Sequence, residues 1–303
     1  MATMKSELAS KPQPLALAFR NISYTVALKG RAAKKGATAK TILKGISGVC
    51  QPGRVMAIMG PSGAGKTTLL DVLAGRVRAH GELALGPKSR ATPRDIAQRA
   101  AYVQQDDAIM ASQTVREALQ MAADLTLPRG TTSKERVALC EQLIATFHLT
   151  GAADTIVGDP VGRLKGISGG ERKRLAVAMG AVREPQLIFL DEPTSGLDAH
   201  KAYVLINTLK GFANDKASTV VCTIHQPSSD LFALFDDLLL LLVNSCVALA
   251  FETSRSEVHT RLGSVLRHPT QIVARTACAY ARPQRPVCSK ESVAFSPSSS
   301  HMV

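Results

Sequence analysis

VMAIMGPSGAGKTTLLDVLA, residues 55–74, is the stretch from which the fold is read. Val55 to Met59 is an unbroken apolar run of strand length, Thr67 to Ala74 recurs with a helical period, and a glycine-rich turn lies between them. Strand, loop and helix in that order, with a loop of the form G-x-x-x-x-G-K-T, is the pattern of a main chain that wraps a phosphate. The glycines let backbone N–H groups turn inward around an anion without a side-chain clash, and the helix start adds the positive end of its dipole. Gly60, Pro61, Ser62, Gly63, Ala64, Gly65, Lys66, Thr67 and Thr68 form the candidate cradle. Lys66 is placed to reach the outer phosphates of a nucleotide such as ATP, and the Thr67 hydroxyl to meet a Mg²⁺ ion bound with it. A chance glycine turn is the competing reading; it does not call for a strand before it and a helix after it.

Working outward, Leu15 to Val26 alternates as a strand or hairpin arm, and Arg31 to Lys40 reads as a basic surface loop. Ala101 to Val103 is a further short strand. From Thr114 to about Leu149 the period becomes helical, with capping boxes at Thr114/Glu117 and Thr132/Glu135 and a predicted apolar face of Val137, Cys140, Ile144 and Phe147. Ser168/Glu171 has the same spacing and opens another helix through Leu175 to Val182. Leu187–Leu190 and Thr219–Ile224 read as buried strands, separated by a helical segment near Lys201 to Phe212. That alternation predicts an α/β fold: a mainly parallel sheet of the P-loop NTPase type, an N-terminal antiparallel β arm and an inserted helical subdomain.

Ligand sites on parallel sheets lie at the C-terminal strand tips. LIFLDE, residues 187–192, delivers two carboxylates to such a tip. Asp191 is the candidate metal carboxylate, and Glu192 the candidate base that polarises an attacking water; two solvated acids at a strand end are the plain alternative. His225 follows the last buried strand at the same sheet edge, where an imidazole N–H can meet a γ-phosphate. Ser168, Gly169 and Gly170 are, taken alone, a capping box with glycines.

In company these segments say more. The phosphate loop, Gln105, GISGGERKR (166–174), DEPTSGLD (191–198) and His225, in this order and spacing, resemble the nucleotide-binding domain of ABC proteins. GISGVCQPGRVMAIMGPSGAGKTTLLDVLAGR, YVQQDD, TVREAL and IHQPSSDLFALFD narrow the resemblance to the G, or White, subfamily of half-transporters, over about Leu15 to Val243. The resemblance implies ATP and Mg²⁺ as cofactors, with Thr67, Gln105 and Asp191 around the metal and Lys66, Gln105, Glu192 and His225 catalytic. It also implies head-to-tail pairing with a second ABC cassette, homomeric or heteromeric, in which Ser168, Gly169 and Gly170 act in trans. Gln105 then links the site to the transmembrane domain of a half-transporter, and Asp198 connects the two sites. The expected place is the cytoplasmic face of a membrane, reached through that partner, and the expected work is export of lipid-like or amphipathic compounds. Tyr24 is a candidate adenine-stacking residue and equally a plain strand aromatic.

Composition bounds these readings. The chain has 303 residues, 45% of them apolar, and a formal charge of +13. The first 54 residues hold ten Lys/Arg against Glu7 alone and residues 251–303 hold seven against three acids, so the excess sits at the ends. Neither end interleaves aromatics with its basic residues, and no specific nucleic-acid partner is expected. Six cysteines without a C-x-x-C pair and an N-terminus without an apolar signal point to a reduced compartment. The apolar run Leu238–Phe251, broken by Asn244 and Ser245, falls short of the roughly 20 residues that span a bilayer. The expected organisation is a leader (1–14), an ABC ATPase domain (15–250, helical subdomain about 110–182) and a weakly ordered tail (251–303), with no transmembrane domain. Two alternatives stay open: a truncated non-transport ABC ATPase, and a regulatory isoform that pairs with a full-length half-transporter.

Overall fold

The chain opens with β1 (Leu17–Ala27) and β2 (Ala39–Cys50), an antiparallel pair, runs through β3 (Val55–Met59) and α1 (Lys66–Leu73), and returns with β4 (His80–Leu85) along the other edge of β1. It continues through α2 (Pro93–Ala97), β5 (Ala100–Val103), α3 (Val115–Thr126), α4 (Ser133–Thr146), α5 (Gly169–Ala181), β6 (Leu187–Leu190), α6 (Ala199–Lys216), β7 (Thr219–Ile224), α7 (Ser229–Phe232), β8 (Asp237–Leu240) and β9 (Phe251–Glu252). This computed structural model describes residues 14–27, 39–86, 90–105, 108–159, 164–242 and 251–252. The leader expected over 1–14, apart from Pro14, and the tail expected beyond Glu252 lie outside them.

Two sheets result. One is antiparallel, in the order β2-β1-β4; the other runs β5-β6-β7-β3-β8-β9, parallel throughout except where β9 pairs antiparallel with β8. The α/β architecture expected from the sequence is therefore present, with a mainly parallel central sheet and an N-terminal antiparallel arm.

Strand alternation sorts the sheet's two faces into two cores. Val55, Ala57, Ile188, Leu190, Val220, Cys222 and Ile224 face the core shared with α3 to α6. Met56, Ile58, Leu187, Phe189 and Val221 face the one shared with α1 and the antiparallel sheet. A strand buried on both faces has no polar alternation, which is why LIFL and VMAIM read as unbroken apolar runs.

The three expected capping boxes form, each with the hydroxyl accepting from the backbone N–H three residues on and the carboxylate accepting from the cap N–H. On α4 the buried stripe is Cys140, Leu143 and Ile144, with Phe147 just beyond. Val137 is 48% exposed, a correction to the predicted face: the buried stripe of α4 begins one turn later, at Cys140. Ala39 and Lys40, read as loop, open β2. At the sheet edge far from the loop, Arg54 grips Asp237 through Nε (3.0 Å) and Nη2 (2.8 Å), while Asp236 takes the Val55 N–H (2.9 Å) and Lys210 Nζ (2.8 Å). Cys50 and Cys222 are fully buried, and that burial pushes their thiols well above the ordinary range, so neither is a nucleophile.

Candidate functional site

The C-terminal tips of β3, β6 and β7 stand side by side. Register pairs Met59 with Ile224 and Leu190 with Cys222. Gly60 and His225 therefore leave the sheet together, and Asp191 leaves it beside Thr223.

At the first of these tips the loop 60–65 runs into α1, whose cap differs from the rest. Gly65, at φ 95°, makes no side-chain cap hydrogen bond. Thr92, Thr114, Thr132, Ser168, Asp198 and Ser228 each accept one at the starts of the other described α-helices. The first N–H groups of a helix have no intrahelical acceptor, so those of Lys66, Thr67 and Thr68 are left for an anion, with the positive end of the dipole behind them. A side chain at 65 is excluded twice, by the left-handed φ and because its Cβ would lie 3.0 Å from both Ile42 Cγ2 and Leu43 Cδ2. A Cβ on Gly60 would lie 2.4 Å from the Leu241 carbonyl oxygen. Lys66, only 6% exposed, folds over the loop and donates from Nζ to Gly60 O (3.0 Å) and Pro61 O (3.3 Å).

Behind the cradle, Thr67 Oγ1 donates to Asp191 Oδ1 at 3.1 Å. The same carboxylate oxygen accepts from Thr223 Oγ1 at 2.7 Å, and Thr223 Oγ1 accepts from the Glu192 N–H at 2.8 Å. Glu192 sits at φ 45°, a left-handed conformation that residues with side chains rarely adopt. Its Oε2 accepts from Gln105 Nε2 at 3.1 Å, and the Gln105 carbonyl accepts from the buried Lys173 of α5. On β5 the Tyr102 ring has the Arg76 guanidinium 4.1 Å over its centroid. Burial, reinforced by Asp191 and Asp71, pushes the Tyr102 hydroxyl above its usual range, keeping it a neutral donor.

The loop, Thr67, Asp191, Glu192 and Gln105 are thus joined by direct contacts, and His225 is brought to the same edge by register. The start of α5 stands apart: among the described residues no hydrogen bond or ion pair joins Ser168, Gly169 or Gly170 to residues 60–68. There Ser168 accepts from Glu171 N–H (3.3 Å) and its own N–H donates to Glu171 Oε2 (2.8 Å). Burial raises the Glu171 carboxyl, but these Ser168 bonds, with Arg174 and Lys201 nearby, bring it below the usual carboxylate value. Asp198 caps α6 and pairs with Lys201 Nζ at 2.7 Å. Tyr24 lies on β1 opposite Leu43, partly buried against the second core.

The donor set suits a nucleoside triphosphate with Mg²⁺. Uncapped amides and a lysine meet polyphosphate, while one hydroxyl touching one carboxylate matches an ion that keeps most of its oxygens from water and phosphate. Thr223 and Lys173 were not picked out from the sequence. A hydroxyl inside the otherwise apolar strand TVVCTI was the available signal for the first.

Comparison with known proteins places the chain in a family. The family model described as ABC transporter matches residues 43–195, half of the chain. ABC transporter G family member 22 of Dictyostelium discoideum is 39% identical over 246 residues, 80% of this chain and 38% of that protein. ABC transporter G family member 7 of Arabidopsis thaliana is 41% identical over 232 residues, 76% of this chain and 31% of that one. Protein white of Drosophila melanogaster is 46% identical over 211 residues, 68% and 30% respectively. The chain thus spans about a third of the length of these curated relatives. Among solved structures, the dimeric structure of MJ0796, a bacterial ABC transporter cassette, superposes with a TM-score of 0.60 at 20% identity, covering 75% of this chain and 94% of that one.

Proposed function

The chain belongs to the ABC transporter family, in its G or White subfamily, and from that premise we propose that it binds and hydrolyses Mg-ATP as one of two paired cassettes that power export across a membrane. The observation that carries the site assignment is the Thr67–Asp191 hydrogen bond at the uncapped start of α1, one residue from Lys66. It brings a hydroxyl and a carboxylate together where the loop amides would hold the β- and γ-phosphates.

Each residue then has a role. The amides of the loop and of Lys66, Thr67 and Thr68 bind phosphate oxygens, and Lys66 exchanges its carbonyl partners for the outer phosphates. Thr67, Asp191 and Gln105 would hold Mg²⁺, which would supply charge neutralisation to the phosphates. Glu192 holds the attacking water and accepts its proton as the oxygen bonds to the γ-phosphorus; the bond to the ADP oxygen breaks, leaving ADP and phosphate. Gln105, already bonded to Glu192, orients that carboxylate. His225, level with Gly60, meets the γ-phosphate.

Ser168, Gly169 and Gly170 serve the partner's ATP. The Ser168 oxygen accepts from Glu171 N–H, which leaves its O–H to donate to a phosphate from the partner, together with the dipole of α5. The separation of these residues from the loop of the same chain supports head-to-tail pairing. On this reading residues 15–250 are the ATPase domain and about 110–182 its helical subdomain. Mg-ATP hydrolysis there resets a dimer whose closure moves the transmembrane domains of a half-transporter, carrying lipid-like or amphipathic compounds. None of the helices among the described residues is long and apolar enough to cross a membrane.

The test is phosphate release by the full chain with Mg-ATP, beside Glu192→Gln. A base contributes about 10²–10⁴-fold, so the variant should retain ATP and lose turnover by at least about a hundredfold. Unchanged turnover removes Glu192 from this role.

A further inference from the structure

Thr223 belongs to no part of the phosphate loop, the acidic strand tip or the histidine turn, yet it touches two of the residues on which hydrolysis depends. It is fully buried, and its hydroxyl both donates and accepts: Oγ1 donates to Asp191 Oδ1 at 2.7 Å and accepts from the Glu192 N–H at 2.8 Å. We propose that Thr223 is a positioning residue of the ATP site, whose single hydroxyl orients the metal-holding carboxylate of Asp191 and fixes the left-handed backbone of Glu192. The proposal rests on the nucleotide-hydrolysing reading above.

Three observations converge on it. Parity along β7 puts Thr223 on the face of Val221, toward α1, so its hydroxyl points to the side where Thr67 reaches Asp191. Asp191 is 7% exposed and its Oδ1 takes both hydroxyls, Thr67 from the helix and Thr223 from the strand. A carboxylate removed from water needs such donors. When Thr67 turns from Asp191 toward a metal, Thr223 is the donor that still holds that oxygen. Finally, Glu192 carries its side chain from a strained backbone at φ 45°. Strain of this kind persists only where neighbours over-determine it, and the bond from Glu192 N–H to Thr223 is a tether on that peptide.

Valine has the shape of threonine without the hydroxyl, and serine keeps the hydroxyl without the methyl. In Thr223→Val the metal-dependent gain in ATP affinity, read by titrating a fluorescent ATP analogue with Mg²⁺ and again in EDTA, should shrink about 10- to 100-fold, the usual effect of removing a group that orients a metal ligand. Affinity in EDTA should stay within about threefold, because the loop amides and Lys66 are untouched. Hydrogen exchange at the Glu192 amide should quicken in the nucleotide-free full chain, and Thr223→Ser should restore both readings. If the valine chain does not fold, Thr223→Ala takes its place in the same comparison. A metal-dependent gain equal to wild type, unchanged exchange at Glu192, or a serine variant as impaired as valine overturns the assignment. Wild-type chain that binds no ATP in either condition overturns the nucleotide reading instead, while the exchange measurement still judges Thr223 by itself.

Discussion

Replacing Lys66 by Met separates the phosphate role of this residue from its place in the fold. Lys66 is 6% exposed as a residue and spends two of its ammonium donors on carbonyls of its own loop. A buried ammonium loses hydration that two such bonds only partly return, and Met fills the same stem volume without the charge, so the two terms nearly cancel. The melting temperature of the free chain should therefore move by no more than about 3 °C, the equivalent of about 1 kcal/mol for a domain of this size. With nucleotide the balance changes. ATP at about 100 times its Kd stabilises the wild-type chain by about 2.7 kcal/mol, which at about 2–4 °C per kcal/mol raises the melting temperature by about 5–11 °C. A hydrogen bond from a charged group is worth about 1.5–3 kcal/mol, so losing the one to the outer phosphates weakens binding about 10- to 150-fold. At about a hundredfold, the same ATP concentration only matches the Kd, and the gain falls to about 0.4 kcal/mol, or about 1–2 °C. Scanning fluorimetry with and without Mg-ATP reads both halves. An ATP-induced shift in Lys66→Met equal to wild type refutes the phosphate role; collapse of the free variant refutes the energetic cancellation.

Phe147 is fully buried and meets Phe212 with ring centroids 5.9 Å apart. Phe147→Ala should cost about 3–5 kcal/mol, seen as a lower urea midpoint, whereas a loss below about 1 kcal/mol would mean the helical core closes over the gap. The Glu135 carboxylate is held below its ordinary value by the Thr132 backbone N–H (2.7 Å) and hydroxyl (2.8 Å). A carboxyl lowered in the folded state adds stability above its unfolded value, here 4.5, and loses it as pH falls through the folded one. Glu135→Gln should therefore flatten the acid limb of a melting-temperature profile while changing nothing in its slope above pH 6, and an acid limb as steep as wild type would contradict the assigned cap.

The sequence disclosed most where one residue type had one physical job. Val55–Met59 and Leu187–Leu190 are bounded correctly because strands covered on both faces leave no polar residue inside, and Thr219–Ile224 is bounded correctly although it carries the Thr223 hydroxyl. The three capping boxes were legible because hydroxyl and glutamate must stand three residues apart. Less was visible in β2 and β4, which lie at the edges of the antiparallel sheet, are partly exposed, and carry glycines that look like turns. The cap of α2 went unread because its third residue is Asp95 in place of a glutamate. At the site, the loop and the acids announced themselves by spacing. The Lys173 contact with Gln105 joins residues 68 apart and leaves no local pattern.

Core and site are one constraint at this sheet edge. Ile188 and Leu190 face one core, Leu187 and Phe189 the other, and β7 divides its residues the same way between Val220, Cys222 and Ile224 on one side and Val221 on the other. A slip of one residue between β6 and β7 would exchange every one of these faces. It would also carry Asp191 away from Thr223 and Thr67, whose hydroxyls reach it at 2.7 and 3.1 Å. The apolar residues that appear merely to fill the interior thereby set the register in which the carboxylate meets the loop. It follows that a polar substitution at Val221, several residues below the tip, should disturb metal-dependent ATP binding as well as stability.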